Sequence, residues 1–342
     1  MDLYLDSVDF EEIEQAFELG FLTGLTTTPT FMHRHGITDV DGAIVKLSKM
    51  VPELQVEALG NTHDEIVTEA ERLLTLPLEL EPVFKVPISQ EGVRACNTLT
   101  KKGHRVNVHL IYTLNQAYMA MAAGAAFVCP LAGRLQDQGH DANALFEQCV
   151  DVIERFDYNT KVMFSSVRHP EHVRQALISG AHVCTVPWKV MRSLSQNALT
   201  TVGTNQFLEH TRLMTVSVKE VIREQNPLCR PSDTVSDAML KMTESRLGAV
   251  TIVDDNGGVL GVFTDGDLRR NLQEHGSDVV NKSLTDLGYS TNPITIGGDA
   301  LLYDAMAEFE KSHVDTIIVE DDGKPIGIVD IQDIVSRDMF GG

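Results

Sequence analysis

Lys85 is the residue in this sequence around which a reaction is most directly written. It lies in Pro82-Val-Phe-Lys-Val-Pro-Ile88, so the pattern puts an amine inside a strand that should be buried. Burial favours the neutral amine over the ammonium, and the neutral amine is the form that attacks a carbonyl carbon. A lysine in an apolar run can equally be an edge residue whose head snorkels to water, so its company decides the reading. That company is unusually polar. The ends of the other apolar runs carry Asp6, Thr27 and Thr28, Glu57, Asn107 and His109, Cys129 with Arg134 just beyond, and Ser166 with Arg168.

The runs that these residues terminate span 3–6, 21–27, 54–59, 83–88, 106–111, 125–131, 162–167 and 182–186. Each is short and apolar or alternating, as strands are. Between them the spacing predicts helices over 10–19, 63–74, 89–102, 115–124 and 170–180, several ending in glycine. Strand and helix in alternation imply a parallel sheet. An open doubly wound sheet and a closed barrel both satisfy that order. About eight near-regular units without a glycine-rich dinucleotide fingerprint favour the (β/α)₈ TIM barrel, whose active sites gather at the C-terminal ends of the strands. A further helix-like stretch over 190–213 has no place in a minimal barrel and is expected to cap it or reach a neighbouring subunit.

Composition sets the outer bounds. A chain of 342 residues is long for one average domain and suits a barrel plus a small module. The formal net charge of -21 repels polyanions, which argues against nucleic acid and anionic membrane as partners. Small anionic substrates stay open, because salt screens a distant global charge over about 10 Å. The five cysteines (Cys96, Cys129, Cys149, Cys184, Cys229) are odd in number and form no C-x-x-C pair, which fits neither a disulfide framework nor zinc, and points to a reducing cytosol. Cys129 itself reads as a buried, inert thiol. The twelve histidines are scattered without metal-ligand spacing, so no metal is expected. There is no secretory n-region or h-region and no apolar run near the ~20 residues a bilayer span needs, so a soluble cytoplasmic protein is expected.

After about residue 214 the pattern changes to a repeat. Ser236-Asp-Ala-Met-Leu and Val253-Asp-Asp-Asn-Gly-Gly-Val-Leu-Gly-Val-Phe-Thr-Asp-Gly-Asp-Leu268 return as Tyr303-Asp-Ala-Met-Ala and Val319-Glu-Asp-Asp-Gly-Lys-Pro-Ile-Gly-Ile-Val-Asp-Ile-Gln-Asp-Ile334. Each copy reads helix, strand, tight Asp/Gly turn, strand, helix. These residues resemble a tandem CBS (Bateman) module, and the first copy is especially like the one attached to arabinose-5-phosphate isomerases. The domains are therefore expected at 1–213 (barrel) and 214–342 (a smaller α+β CBS pair, with repeats at about 216–275 and 286–342). The resemblance implies a nucleotide-type ligand, with Asp267 and Asp333 accepting from ribose hydroxyls and Thr264 near phosphate. Asp330 stands where the second copy would carry Ser or Thr, and its charge would repel a phosphate there. A packing and dimerisation module without ligand is the other reading.

The barrel segment, from Met1 to about Arg212, resembles the transaldolase family, specifically the short branch that includes fructose-6-phosphate aldolases. The resemblance rests on Leu3-Tyr-Leu-Asp6, Gly24-Leu-Thr-Thr-Thr-Pro29, Val56-Glu57, Val83-Phe-Lys85-Val-Pro-Ile, Val106-Asn-Val-His-Leu-Ile-Tyr, Asn115-Gln-Ala, Pro130-Leu-Ala-Gly-Arg134 and Ser165-Ser-Val-Arg-His-Pro170 taken together. It implies that Lys85 forms an imine with a ketose carbonyl and that no further cofactor is used. Asp6 would take the proton from the C4 hydroxyl, and Glu57 would act through a water in imine formation and release. Asn107 would hydrogen-bond a substrate hydroxyl, with Arg134 and Ser166 holding the distal phosphate.

Departures from the family pattern bear on the substrate. Thr28 replaces an asparagine that contacts donor hydroxyls, His109 replaces a threonine and would either interact with the catalytic water or narrow the pocket, and Cys129 replaces a small Ser or Ala. Leu131 stands where the aldolases carry an acid/base tyrosine, which together with Glu57 favours a transaldolase-type proton relay. The leading expectation is a transaldolase-type enzyme acting on sugar phosphates as a homo-oligomer. The alternatives are a free aldolase with another donor, such as glycolaldehyde giving arabinose 5-phosphate, and a sugar-phosphate or nucleotide sensor without turnover.

Overall fold

The apolar runs become strands because each can bury both faces, one on the barrel interior and one under a helix. The computed structural model describes residues 1–335, so the end of the second repeat, 336–342, lies outside the described residues. Strands β1 (Asp2–Asp6), β2 (Gly24–Thr26), β3 (Leu54–Glu57), β4 (Val83–Pro87), β5 (Val106–Ile111), β6 (Phe127–Pro130), β7 (Lys161–Phe164) and β8 (Val183–Val186) pair in order, and β1 closes on β8. All of these pairings are parallel. The expected TIM barrel is therefore the observed fold, followed by the small sheets of the repeat region.

Helices form where apolar spacing and caps agree. Helix His63–Leu74 starts at a Thr62/Glu65 capping box and buries Ile66, Val67, Ala70 and Leu73 on one face. Leu114–Ala122 starts the same way, at Thr113 and Gln116. Short helices Pro29–Arg34 and Ala132–Asp137 follow β2 and β6 without having been foreseen, because six residues are too few to establish a period. The stretch over 190–213 is corrected to two helices, Trp188–Ser193 and Ala198–Thr215. The break has a local cause: Asn197 leaves helical geometry and its side chain accepts from Leu199 N–H at 2.8 Å, starting the second helix.

The chain divides into two compact units, Met1–Gln196 and Asn197–Gly342, so Ala198–Thr215 belongs with the second. In that unit β9 (Leu228–Cys229), β10 (Ala249–Val253) and β11 (Val259–Thr264) form one sheet, and β12 (Thr295–Gly297), β13 (Thr316–Asp321) and β14 (Lys324–Asp330) the other. The repeat is visible in detail. Both hairpins carry a register shift at the end of their first strand, and helices Val235–Ser245 and Leu302–Ser312 both end on a left-handed residue, Arg246 and His313. The second hairpin turns on Asp322 and Gly323, both at positive φ, the geometry that a two-residue turn needs to match strand twist.

Candidate active site

Each strand from β1 to β8 sends a side chain into one cavity of about 700 Å³ at the C-terminal end of the barrel. Lys85 enters from β4 and is 5% exposed. Its Nζ donates to the Thr27 carbonyl at 2.7 Å and lies 3.9 Å from Glu57 Oε2. The β3–β4 register pairs Glu57 with Lys85 directly, which is why strand pairing alone brings acid and amine together. The other oxygen of that carboxylate, Oε1, is 2.5 Å from His109 Nε2.

Asp6 enters from β1. Thr26 Oγ1 is 3.0 Å from Asp6 Oδ1 and 2.5 Å from Thr185 Oγ1 on β8, so two buried hydroxyls stand in line behind the carboxylate. Burial pushes the Asp6 carboxyl above its ordinary range, against the opposing pull of the Lys85 charge and the Thr26 hydrogen bond. Cys129 lines the same cavity from β6. Burial pushes its thiol up to about 11, with the Ser165 contact and the Lys85 charge pulling the other way, so it stays protonated at neutral pH.

Arg134, on the short helix Ala132–Asp137 after β6, stands with Ser166 and Arg168, on the loop after β7, at the mouth. Gly133 permits this approach, since a Cβ there would meet the Ser166 carbonyl oxygen at 2.3 Å and both Ser166 Oγ and Arg168 Nε at 2.9 Å. Ser166 holds φ at +60°, which ends the strand and turns its loop toward Gly133. Arg168 is paired through both guanidinium ends with Asp137, at 2.5 Å between Nη2 and Oδ2. Below it, His172 Nδ1 accepts from the Arg168 backbone N–H at 3.2 Å and its Nε2 meets Gln136 Oε1 at 2.5 Å, bracing the loop on the short helix.

The remaining expected residues fall elsewhere. Thr28 lines the cavity, but its hydroxyl also accepts from Phe31 N–H at 3.3 Å as the cap of Pro29–Arg34. Thr27 and Asn107 are buried and do not line the cavity. Thr27 Oγ1 donates to the Gln55 carbonyl at 3.0 Å, and Asn107 Nδ2 donates to Gln55 Oε1 at 2.6 Å while Asn107 Oδ1 has no hydrogen-bond partner among the described residues. The sequence reading missed Thr26, Thr185 and Arg34 as lining residues. Thr185 was within reach, because the strand-end rule applied to the eighth run points to it; Arg34 carried no signal.

In the second unit, Thr264 caps helix Asp265–His275 and shares a capping box with Asp267, whose Oδ1 also meets Arg270 at 2.5 Å. Asp333 is held through both oxygens by Arg223, at 2.8 and 3.0 Å. Asp330 accepts from Gln332 N–H at 2.8 Å, and burial pushes its carboxyl up. Among the described residues no group of three or more His, Cys, Asp or Glu is placed to hold a metal ion, and no helix is long and apolar enough to cross a membrane.

Comparison with known proteins adds the following. The family model described as Transaldolase/Fructose-6-phosphate aldolase matches residues 3–238, and the CBS domain model matches 218–274 and 284–339. A probable transaldolase of Desulforudis audaxviator is 36% identical over 210 residues, covering 61% of this chain and 96% of its own. One from Pelotomaculum thermopropionicum is 37% identical with the same coverage. Among solved structures, the CBS domain of a CBS domain containing membrane protein from Sphaerobacter thermophilus aligns with 40% of this chain and 96% of its own, at 18% identity and a TM-score of 0.35. The match to the first model takes in every strand of the barrel and all of the cavity, and on that ground the chain belongs to the transaldolase/fructose-6-phosphate aldolase family of enzymes, with a pair of CBS domains following the barrel.

Proposed function

We propose that the barrel makes and breaks carbon–carbon bonds in sugar phosphates through an imine on Lys85, moving a ketol unit between them as a transaldolase does. The observation that carries this reading is a buried amine, 3.9 Å from one carboxylate, in a cavity that also holds a second. Lys85 Nζ adds to the ketose C2 carbonyl, and the resulting carbinolamine loses its hydroxyl as water with one proton supplied from the Glu57 side. The protonated imine then accepts the electron pair of the C3–C4 bond as that bond breaks. Asp6 takes the C4 hydroxyl proton as the aldehyde forms, and the raised proton affinity of its carboxylate suits that role. Addition of the enamine to an acceptor aldehyde returns this proton to the new hydroxyl, and water releases the product ketose. Arg134, Ser166 and Arg168 at the mouth hold the distal phosphate.

One observation favours a free aldolase with another donor. Thr28 Oγ1 already accepts from Phe31 N–H, so it offers less to donor hydroxyls than a longer amide would. A glycolaldehyde donor, which needs fewer such contacts, is consistent with this. The CBS pair takes a nucleotide-type ligand through Asp267 and Asp333, and since each carboxylate is held by an arginine, Arg270 and Arg223, a ligand at either must first displace that partner. The protein works in the cytosol as a homo-oligomer, and its five free, buried cysteines agree with a reducing compartment.

Borohydride trapping with fructose 6-phosphate, followed by peptide mass analysis, tests the central claim. An adduct on Lys85 is expected, and its absence with any ketose phosphate refutes the imine reading. A product profile from mixed aldehyde and ketose phosphates separates transferase from aldolase, and an adduct that never releases product indicates a sensor. Calorimetry with adenine nucleotides tests the CBS ligand.

A further inference from the structure

Strand β5 carries a local irregularity that ordinary barrel packing does not require. Its pairing with β6 slips between His109 and Ile111, leaving Leu110 as an extra residue with φ at +60°. A bulge with a left-handed, non-glycine residue is strained, and such bulges typically re-aim a side chain at a functional site. Here the side chain is His109. The imidazole reaches across the strand that bears Lys85 to meet Glu57 on β3, at 2.5 Å between Nε2 and Oε1. Both partners are largely buried, at 12% and 7% side-chain exposure. His109 lines the cavity, and no hydrogen bond to its Nδ1 is found among the described residues.

We propose that His109 is the positioning residue of the imine-forming and imine-releasing steps: it shares a proton with Glu57 Oε1 and so fixes the carboxylate with Oε2 toward Lys85 Nζ. This rests on the imine reading of Lys85. Conversion of a neutral amine and a ketone into a protonated imine and water consumes one proton, and hydrolysis of that imine returns one. The histidine–carboxylate pair holds that proton before the imine forms, gives it to the departing hydroxyl, and recovers it from the attacking water when the imine is hydrolysed. The carboxylate cannot rotate away meanwhile, because one of its oxygens is anchored to a ring held by the bulge. The titratable groups facing the pair are Lys85 on β4, Asp6 on β1 and Cys129 on β6, with the arginines at the mouth. Asp6 serves a different step, so the two acids are separable by assay.

The test uses the full chain with fructose 6-phosphate, measuring the rate of borohydride-trappable adduct on Lys85 separately from aldehyde release. In His109→Ala, adduct formation is expected to slow by about 100-fold, the usual range for a lost acid–base contribution. His109→Gln, whose amide N–H can still donate to Oε1, should recover the rate to within about tenfold while leaving a pH profile different from that of the unsubstituted chain, because an amide cannot carry the shared proton. In a Glu57→Gln background, His109→Ala should cost less than about twofold, because coupled residues are not additive. Thermal melts identify any variant that fails to fold, and the Gln variant carries the test in that case. Unchanged adduct rates and pH profiles in both His109 variants overturn the proposal while leaving Lys85 as the amine. No adduct in the unsubstituted chain overturns the imine reading and this proposal with it.

Discussion

The closeness of the short helix after β6 to the loop after β7, at Gly133, yields a sharp prediction about how the phosphate end of a substrate is held. A Cβ at this position would stand 2.3 Å from the Ser166 carbonyl oxygen, whereas ordinary contact begins at 3.4 Å. Gly133→Ala therefore requires the short helix after β6 and the loop after β7 to separate by roughly 1 Å, at an overpacking cost of about 1–3 kcal/mol. The same movement draws Ser166 and Arg168 away from Arg134. Losing one charge-assisted hydrogen bond to phosphate costs about 1.5–3 kcal/mol, which is roughly 10- to 100-fold in binding. Lys85, Glu57 and Asp6 stand on strands that the loop movement does not touch. The assay is kcat/KM for fructose 6-phosphate set against unphosphorylated fructose, with a thermal melt to account for the stability loss. The ratio should fall by about tenfold or more. A parallel fall for both substrates, or an unchanged ratio, refutes the reasoning.

Other perturbations separate the remaining roles. Asp6→Asn should still form the Lys85 adduct while carbon–carbon cleavage falls about 100-fold or more, measured by single-turnover aldehyde release. In the unsubstituted enzyme the acid limb of the cleavage profile should lie above the ordinary aspartate range, because burial raises the Asp6 carboxyl and only its ionised form accepts the proton. Asp137→Asn should lower KM for phosphorylated substrate a few-fold at low salt by freeing Arg168 from a half-exposed pair, and an unchanged KM would remove Arg168 from the anion site. His172 is pushed by burial down to about 4 from its ordinary 6.5, so it binds a proton in the unfolded chain before it does so in the folded one. Its contribution is fully present above pH 6.5 and is lost as pH falls toward 4, by at most about 3 kcal/mol. Urea midpoints at pH 7 and pH 4.5 should diverge in the unsubstituted barrel and converge in His172→Gln.

Much of the architecture was legible because it is local. The eight runs foreseen as strands overlap β1–β8, and the helix over 63–74 coincides with His63–Leu74, since strand and helix periods are written in neighbouring residues. The CBS repeat was legible for the same reason, each copy carrying its own turn and cap. Less legible were the helix break at Asn197 and the short helix after β6, where one cap or one close approach outweighs periodicity.

The candidate site divides in the same way. Residue type and strand-end position singled out Lys85, Asp6, Glu57, His109, Arg134, Ser166 and Arg168, because a parallel barrel delivers every strand end to one face. Which oxygen of Glu57 meets which partner was decided only by the closed sheet, where register sets Glu57 beside Lys85 and a bulge swings His109 across to it. The hydroxyls behind Asp6, the Asp137 clamp on Arg168 and the burial of Asn107 were also tertiary outcomes. They join residues 20 to 159 positions apart, and no spacing along a chain encodes a contact that exists only once the barrel has closed.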